Sequence, residues 1–289
     1  MKVLVTGAAG QVGRALLRSA PPGTVVEGFT HGQLDITDAA AVATVVGQNR
    51  PDVIVNAAAY TAVDKAESDS ETARRINSDG PRNLASAARE SKARIVHIST
   101  DFVFDGSSPV PYGPDAATNP LNVYGLTKRE GERQVLQLLP EGSVVLRTAW
   151  VYAPEGNNFV RTMLRLMGEG KAVRVVADQV GTPTAAGSVA SVIWKVTARP
   201  DIIGIHHWTD AGVASWYDFA VAIAEEALDV GLLSSRATVT PISTDEYPSR
   251  AQRPRYSVLD TCSLMSALEE SPIQWRDSLR AVLREMTSA

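Results

Sequence analysis

Lys2-Val-Leu-Val-Thr6 runs directly into Gly7-Ala-Ala-Gly10-Gln-Val-Gly13 and then Arg14-Ala-Leu-Leu-Arg18. The opening stretch is short, largely apolar and rich in β-branched residues, the pattern of a strand buried on both faces of a parallel sheet. The closing stretch reads as helix. Glycines at three-residue spacing between a strand and a helix make the turn that a dinucleotide phosphate requires. Glycine permits the tight turn, and its missing side chain lets the backbone approach a pyrophosphate. The helix start adds free N–H groups and the positive end of its dipole. Gly7, Gly10, Gln11, Val12 and Gly13 are therefore expected to hold a dinucleotide.

Working outward, strand and helix patterns alternate. A strand is expected at 24–29, and the residues at its end, Phe29-Thr30-His31-Gly32, include no acid to bind a ribose 2′-hydroxyl. That favours NADPH and leaves NADH open. Asp35 and Ile36 can border the adenine, and Asp38 or Thr37 can cap a helix at 39–49. A third strand at 52–56 ends in Ala57, Ala58 and Ala59, small residues that let a cofactor lie against the backbone. One long helix from about 67 to 90, carrying Asn77, and a strand at 93–98 ending in Ser99-Thr100-Asp101 complete the pattern. Such alternation specifies an α/β fold, a Rossmann-type doubly wound parallel sheet.

The chain has 289 residues, which suggests one large domain or two intimate ones. A hydrophobic fraction of 44% suffices for a sizeable core. The net charge of −4, with interspersed signs, argues against a nucleic-acid partner. No apolar run has the length of a membrane span, and the opening residues lack the h-region of a signal peptide. The lone Cys262 excludes an intrachain disulfide and reads as a small packing residue rather than a nucleophile. His206 and His207 are neighbours that point to opposite faces of a strand, so no metal site is expected. These features lead us to expect a cytoplasmic protein.

Tyr124-Gly-Leu-Thr-Lys128 places a tyrosine and a lysine on one face of a helix. The ammonium can favour the phenolate of a group whose ordinary pKa is about 10. Ser99 and Thr100 lie at the carboxyl end of the fourth strand, the edge where such sheets bind ligands. Either hydroxyl can meet a substrate carbonyl while Tyr124 supplies a proton.

These residues fall in order with Asn56-Ala-Ala-Ala-Tyr-Thr-Ala-Val-Asp-Lys-Ala-Glu67, Ser99-Thr-Asp-Phe-Val-Phe104, Pro120-Leu-Asn-Val-Tyr-Gly125, Arg147-Thr-Ala-Trp-Val-Tyr152, Asp178-Gln-Val-Gly-Thr-Pro-Thr184 and Arg253-Pro-Arg-Tyr-Ser257. Together they resemble the extended short-chain dehydrogenase/reductases over nearly the whole chain, and within them the branch of dTDP-4-dehydrorhamnose reductases. The resemblance implies a catalytic set of Thr100, Tyr124 and Lys128. In it Tyr124 protonates the carbonyl oxygen at sugar C4, and Lys128 lowers the tyrosine pKa and binds the nicotinamide ribose. It implies a cofactor side made of the glycine turn, Asp35, Ile36, Ala57, Ala58, Ala59, Tyr124 and Lys128. The implied substrate side is Thr100, Asp101, Phe102, Tyr124, Trp150 and Arg253, around a dTDP-sugar. A planar guanidinium suits a diphosphate, which is the role expected of Arg253; the other reading is a solvated loop.

The last third is expected to form a cap. A fifth strand at 142–148 delivers Trp150 and Tyr152. Helices are expected at 158–167, around 188–198, from 215 to about 228 with Ser215 as cap, and from about 275 to 286, with strands at 172–176 and 202–207. Residues 1–171 and 187–207 are assigned to the NADP-binding domain, and 172–186 and 208–289 to the substrate domain. Some relatives form homodimers through a metal held by acids near the first helix; Arg14 and Ala15 stand there in this chain, so that metal site is not expected and a homodimer stays open. Two other functions remain open. One is a non-catalytic NADP-binding regulator like the regulatory subunit of methionine adenosyltransferase. The other is a reductase or epimerase of another nucleotide sugar.

Overall fold

The computed structural model describes residues 1–287. Strands β1 (Lys2–Thr6), β2 (Val25–Phe29), β3 (Val53–Asn56), β4 (Arg94–Thr100) and β5 (Ser143–Thr148) join the strand Gly204–His207 in one six-stranded sheet. All its pairings are parallel. The strand Gly204–His207 lies on one edge beside β5, followed by β4, β3, β1 and β2. The chain therefore reverses its direction of build beside β1, between β2 and β3. A crevice opens outside the carboxyl ends of the strands at such a switch point.

The helices are α1 (Gln11–Arg18), α2 (Ala39–Asn49), α3 (Val63–Ala66), α4 (Ser70–Arg74), α5 (Gly80–Ser91), α6 (Val123–Leu138), α7 (Phe159–Gly168), α8 (Ala186–Thr197), α9 (Trp216–Asp229), α10 (Cys262–Leu268) and α11 (Trp275–Thr287). Alternation along β1 shows why the sheet is buried twice. Val3 and Val5 pack with Leu16 of α1 and Val189 and Ile193 of α8. Leu4 faces the other way, with Val42 of α2, Leu84 of α5 and Val135 of α6. A further core gathers Val160 and Met163 of α7, Phe219 and Ile223 of α9, and Leu279 of α11 around the strand Val173–Val176. That strand pairs in parallel with Val239–Ile242.

Short polar side chains set where the helices begin, each satisfying an amide that has no partner inside its helix. Asp38 Oδ1 accepts from the Ala40 and Ala41 amides at 3.0 Å, and Asn122 Oδ1 from Gly125 at 2.8 Å. Ser215 and Asp218 form a reciprocal capping box at the start of α9.

The structure corrects one expectation. The helix expected from about 67 to 90 runs as α4, the π-helical turn Arg75–Asp79 and α5, with the separate α3 before it. Pro81 lies in the first turn of α5 and has no N–H to continue the ladder, so the turn before it widens. The hydrophobic cores also draw on distant parts of the chain. Tyr152 and α7 pack with α9 and the cap, whereas Leu264 of α10 packs back against the sheet layer. Among the described residues, no helix is long and apolar enough to cross a membrane.

Candidate active site

A cleft of about 520 Å³ opens at the carboxyl ends of β1, β3, β4 and β5. On one side it is nearly all backbone. Gly10, Gln11 and Val12 line it with Ala57 and Ala59. Gly7 has a φ of +69°, and a Cβ there would sit 2.5 Å from the Ala58 nitrogen; a Cβ on Gly13 would sit 2.2 Å from the Gly7 oxygen. The glycine turn thus presses directly on the alanines that end β3. Asn56 locks that contact. Its Oδ1 accepts from Thr6 Oγ1 at 2.7 Å and from the Ala58 amide at 3.1 Å, and its Nδ2 donates to His97 Nδ1 at 3.0 Å. Burial, with the charge of Lys128 adding, holds the His97 imidazole well below its ordinary pKa. Ala58 turns toward the core, Ile36 is buried against Gly80, and Asp35 caps its own turn through the Thr37 amide at 2.9 Å. Those three do not line the cleft.

Thr100, Asp101, Tyr124 and Lys128 meet on the opposite side of the same cleft. Tyr124 is in the first turn of α6, which Asn122 caps. Burial pushes its hydroxyl up to about 12, the negative Asp101 adds to this, and a hydrogen bond with Thr100 opposes it. Phe102 packs edge-on to the Tyr124 ring, with centroids 5.8 Å apart. Thr100 Oγ1 donates to Asp101 Oδ1 at 3.0 Å and accepts from the Phe102 amide at 3.1 Å. Burial raises the Asp101 carboxyl to about 6, against hydrogen bonds with Ser257 and Thr100.

Lys128 is brought to the same cleft. Its Nζ donates to the Ile98 carbonyl at 2.6 Å, and the groups that shift Tyr124 are its apolar surroundings, Thr100 and Asp101. Burial pushes Lys128 itself down to about 8, opposed by Glu132 one turn further along α6. Glu132 is in turn gripped by Arg147, Nε to Oε1 at 2.8 Å and Nη2 to Oε2 at 2.7 Å. A buried fork-on-carboxylate pair therefore lies behind Lys128.

Trp150 closes the cleft with a backbone φ of +49° and stacks on Trp216 at 3.6 Å, their planes 6° apart. A Cβ on Gly181 would sit 2.7 Å from the Trp150 indole, so only glycine leaves room for this ring. Trp216 lines a neighbouring cleft of about 450 Å³ with Phe159, Gln179, Tyr247 and Arg253. The stacked pair is thus the wall between the two clefts. Arg253 stands in the second one, and its Nη2 donates to Asp64 Oδ2 at 2.6 Å. Sequence reasoning did not single out Trp216, Gly181 or Asp64. Gly181 and Asp64 carried a visible signal, each lying inside a quoted motif, Asp178–Thr184 and Asn56–Glu67.

The model of the family described as RmlD substrate binding domain matches residues 1–288. A dTDP-4-dehydrorhamnose reductase of Aggregatibacter actinomycetemcomitans is 40% identical over 288 residues, 97% of this chain and 98% of that protein. A dTDP-4-keto-6-deoxy-D-glucose reductase of Streptomyces niveus is 43% identical over 260 residues, 89% of this chain and 87% of that one. The crystal structure of a dTDP-4-dehydrorhamnose reductase of Bacillus anthracis in complex with NADP superposes with a TM-score of 0.92 at 36% identity, covering 98% of this chain and 99% of that chain.

Proposed function

This chain belongs to the RmlD substrate binding domain family, and on that premise we propose that it catalyses the NADPH-dependent reduction of the C4 ketone of dTDP-4-dehydro-L-rhamnose to dTDP-L-rhamnose, a precursor of cell-surface polysaccharide. The observation that carries this reading is the meeting of Thr100, Tyr124 and Lys128 in a cleft whose other side is the glycine turn. The cradle fits the cofactor. Gly7 and Gly13 leave no room for a Cβ, so the backbone from Gly10 to Val12 can lie against a pyrophosphate at the start of α1. When bound there, NADPH supplies the hydride that reduces the ketone carbon.

The chain's own residues handle the proton and the developing charge. With its hydroxyl pushed up to about 12, Tyr124 is fully protonated at neutral pH and can donate to the C4 oxygen as negative charge builds on it. Thr100, its hydrogen-bond partner, holds the hydroxyl in place from the end of β4. Lys128, pushed down to about 8 by burial, is still mostly cationic at neutral pH and stabilises the phenolate that remains. Two groups aimed in advance lower the barrier because little reorganisation is needed at the moment of transfer.

The neighbouring cleft, with Trp216, Phe159, Tyr247 and Arg253, offers the aromatic faces and the guanidinium that a thymidine diphosphate would use. The sugar then lies on the Trp150 side of the wall. In this division of labour the sheet layers hold the cofactor, and the core of α7, α9 and α11 shapes the substrate site. All the named residues come from one chain. The lone, exposed Cys262 fits a cytoplasmic location.

The Streptomyces niveus relative favours a second substrate, dTDP-4-keto-6-deoxy-D-glucose. The test follows NADPH absorbance with each sugar separately, and NADH in parallel. Oxidation that depends on dTDP-4-dehydro-L-rhamnose and is fastest with it supports the reading. Faster turnover of the glucose-derived ketone moves the assignment to that sugar. Tight NADPH binding with no oxidation overturns the enzyme and points to a regulator.

A further inference from the structure

Segment 249–253 belongs to the cap, yet the group that holds it comes from the cofactor side. Asp64 lies in α3, just past the alanines that line the cleft. Its Oδ1 accepts from Ser249 Oγ at 2.9 Å, from the Arg250 and Ala251 amides at 3.1 Å each, and from Arg253 Nη1 at 3.3 Å. Its Oδ2 accepts from Arg253 Nη2 at 2.6 Å. The donors of a whole turn, up to 189 residues away in sequence, converge on one carboxylate. These donors, with Arg253 first, hold the Asp64 carboxyl well below the usual carboxylate range.

The same turn reaches the catalytic helix. The Gln252 carbonyl accepts from Asn122 Nδ2 at 2.8 Å, and Asn122 is the cap of α6. Just after Asp64, Glu67 Oε1 accepts from the Val123 amide at 2.9 Å, next to Tyr124. One short segment therefore ties both the substrate-side turn and the start of the Tyr124 helix.

We infer that Asp64 is a positioning residue for the reduction: it fixes the 249–253 turn so that Arg253, gripped along one edge of its guanidinium, presents the other edge to the substrate diphosphate. The Nη groups face Asp64, and among the described residues none accepts from Arg253 Nε. A planar fork can serve two anions at once, which a lysine could not do. Pairing with Asp64 does not leave the surroundings of Arg253 without positive charge, because Arg250 and Arg255 line an adjoining groove that Arg253 shares. Holding the turn in advance removes ordering that the substrate would otherwise have to impose.

This inference rests on the proposed reductase activity, and its test separates the two. In the intact enzyme, Asp64→Ala is expected to raise the KM for the nucleotide sugar by about tenfold or more, the scale of one charge-assisted contact, with kcat and the NADPH Kd changed by less than about threefold. Arg253→Ala should give the same rise, and the D64A/R253A double variant should be no worse than R253A alone, because both changes disable one device. Asp64→Asn keeps the shape and an acceptor for the turn amides but loses the charge, so it folds as wild type and shows an intermediate KM. An unchanged KM in D64A and D64N, or losses that multiply in the double variant, overturns the inference. Amide exchange is read alongside: Arg250 and Ala251 should exchange slowly in wild type and rapidly in D64A, and equal exchange overturns the inference whatever the kinetics. If the wild-type enzyme shows no sugar-dependent NADPH oxidation, the proposed function fails and the exchange result alone decides the role of Asp64.

Discussion

The floor of the cleft and its rim each set a carboxylate against a guanidinium, in opposite surroundings. On the floor, Glu132 and Arg147 are 3% and 2% exposed, doubly hydrogen-bonded, with the guanidinium over the Phe104 ring at 5.1 Å. At the rim, Asp64 and Arg253 are 45% and 20% exposed. Removing one partner of the floor pair strands a charge in a medium that cannot solvate it, whereas water can replace either partner at the rim. The same contrast holds for shape. The glycine turn meets the alanines after β3 with no space for another carbon, while the rim is built of side chains stacked between distant segments, Trp150 and Trp216 of α9. The floor is thus a rigid scaffold for one cofactor, and the rim is where a change of substrate can be accommodated.

The largest effect comes from chemistry on the floor. Tyr124→Phe removes the proton donor and should lower kcat by roughly 10³-fold, with NADPH affinity kept, as read by steady-state rates and cofactor titration. Next is the contrast between the pairs themselves. Glu132→Gln leaves Arg147 buried with a neutral partner and should cost about 3–5 kcal/mol of folding stability. Asp64→Asn should cost at most about 1 kcal/mol in the same denaturant titration. Equal losses would erase the distinction between floor and rim. Gly7→Ala puts a methyl group against the end of β3 at a positive φ, for a loss of about 2–3 kcal/mol and weakened NADPH binding.

The smallest effects are those of pH. Burial raises Asp101 to about 6, above its value in an unfolded chain, so the folded state holds an extra proton between about pH 4 and 6. Stability should therefore fall as pH rises through that window, and Asp101→Asn should flatten the slope. Lys128, lowered to about 8, loses its charge above that pH, so kcat/KM should decline there.

How far these features could be read in advance follows from their range along the chain. The glycine turn, the Tyr124–Lys128 helix face and the Asp38 and Ser215 caps are local, and their chemistry is written within a few residues. The anchoring of Lys128 was not legible, because the acceptor its Nζ finds is the Ile98 carbonyl of another element. The break at Arg75–Asp79 was hidden by a sequence with good helical pattern on both sides of Pro81. The roles of Trp216 and Asp64 were hidden, since the partners they meet, Trp150 and Arg253, come together only when distant segments pack. The packing of Ile36 against Gly80 was likewise hidden, since the two meet only when distant segments pack.

The central claim is that a hydride passes to sugar C4 in this cleft while Tyr124 supplies the proton. The most direct measurement uses NADPH carrying deuterium at the transferring position, with mass spectrometry and NMR of the dTDP-sugar product. The account predicts one deuterium at C4 with wild type and almost none formed over the same time with Tyr124→Phe. Product lacking the label, or equal labelling by the phenylalanine variant, would contradict it.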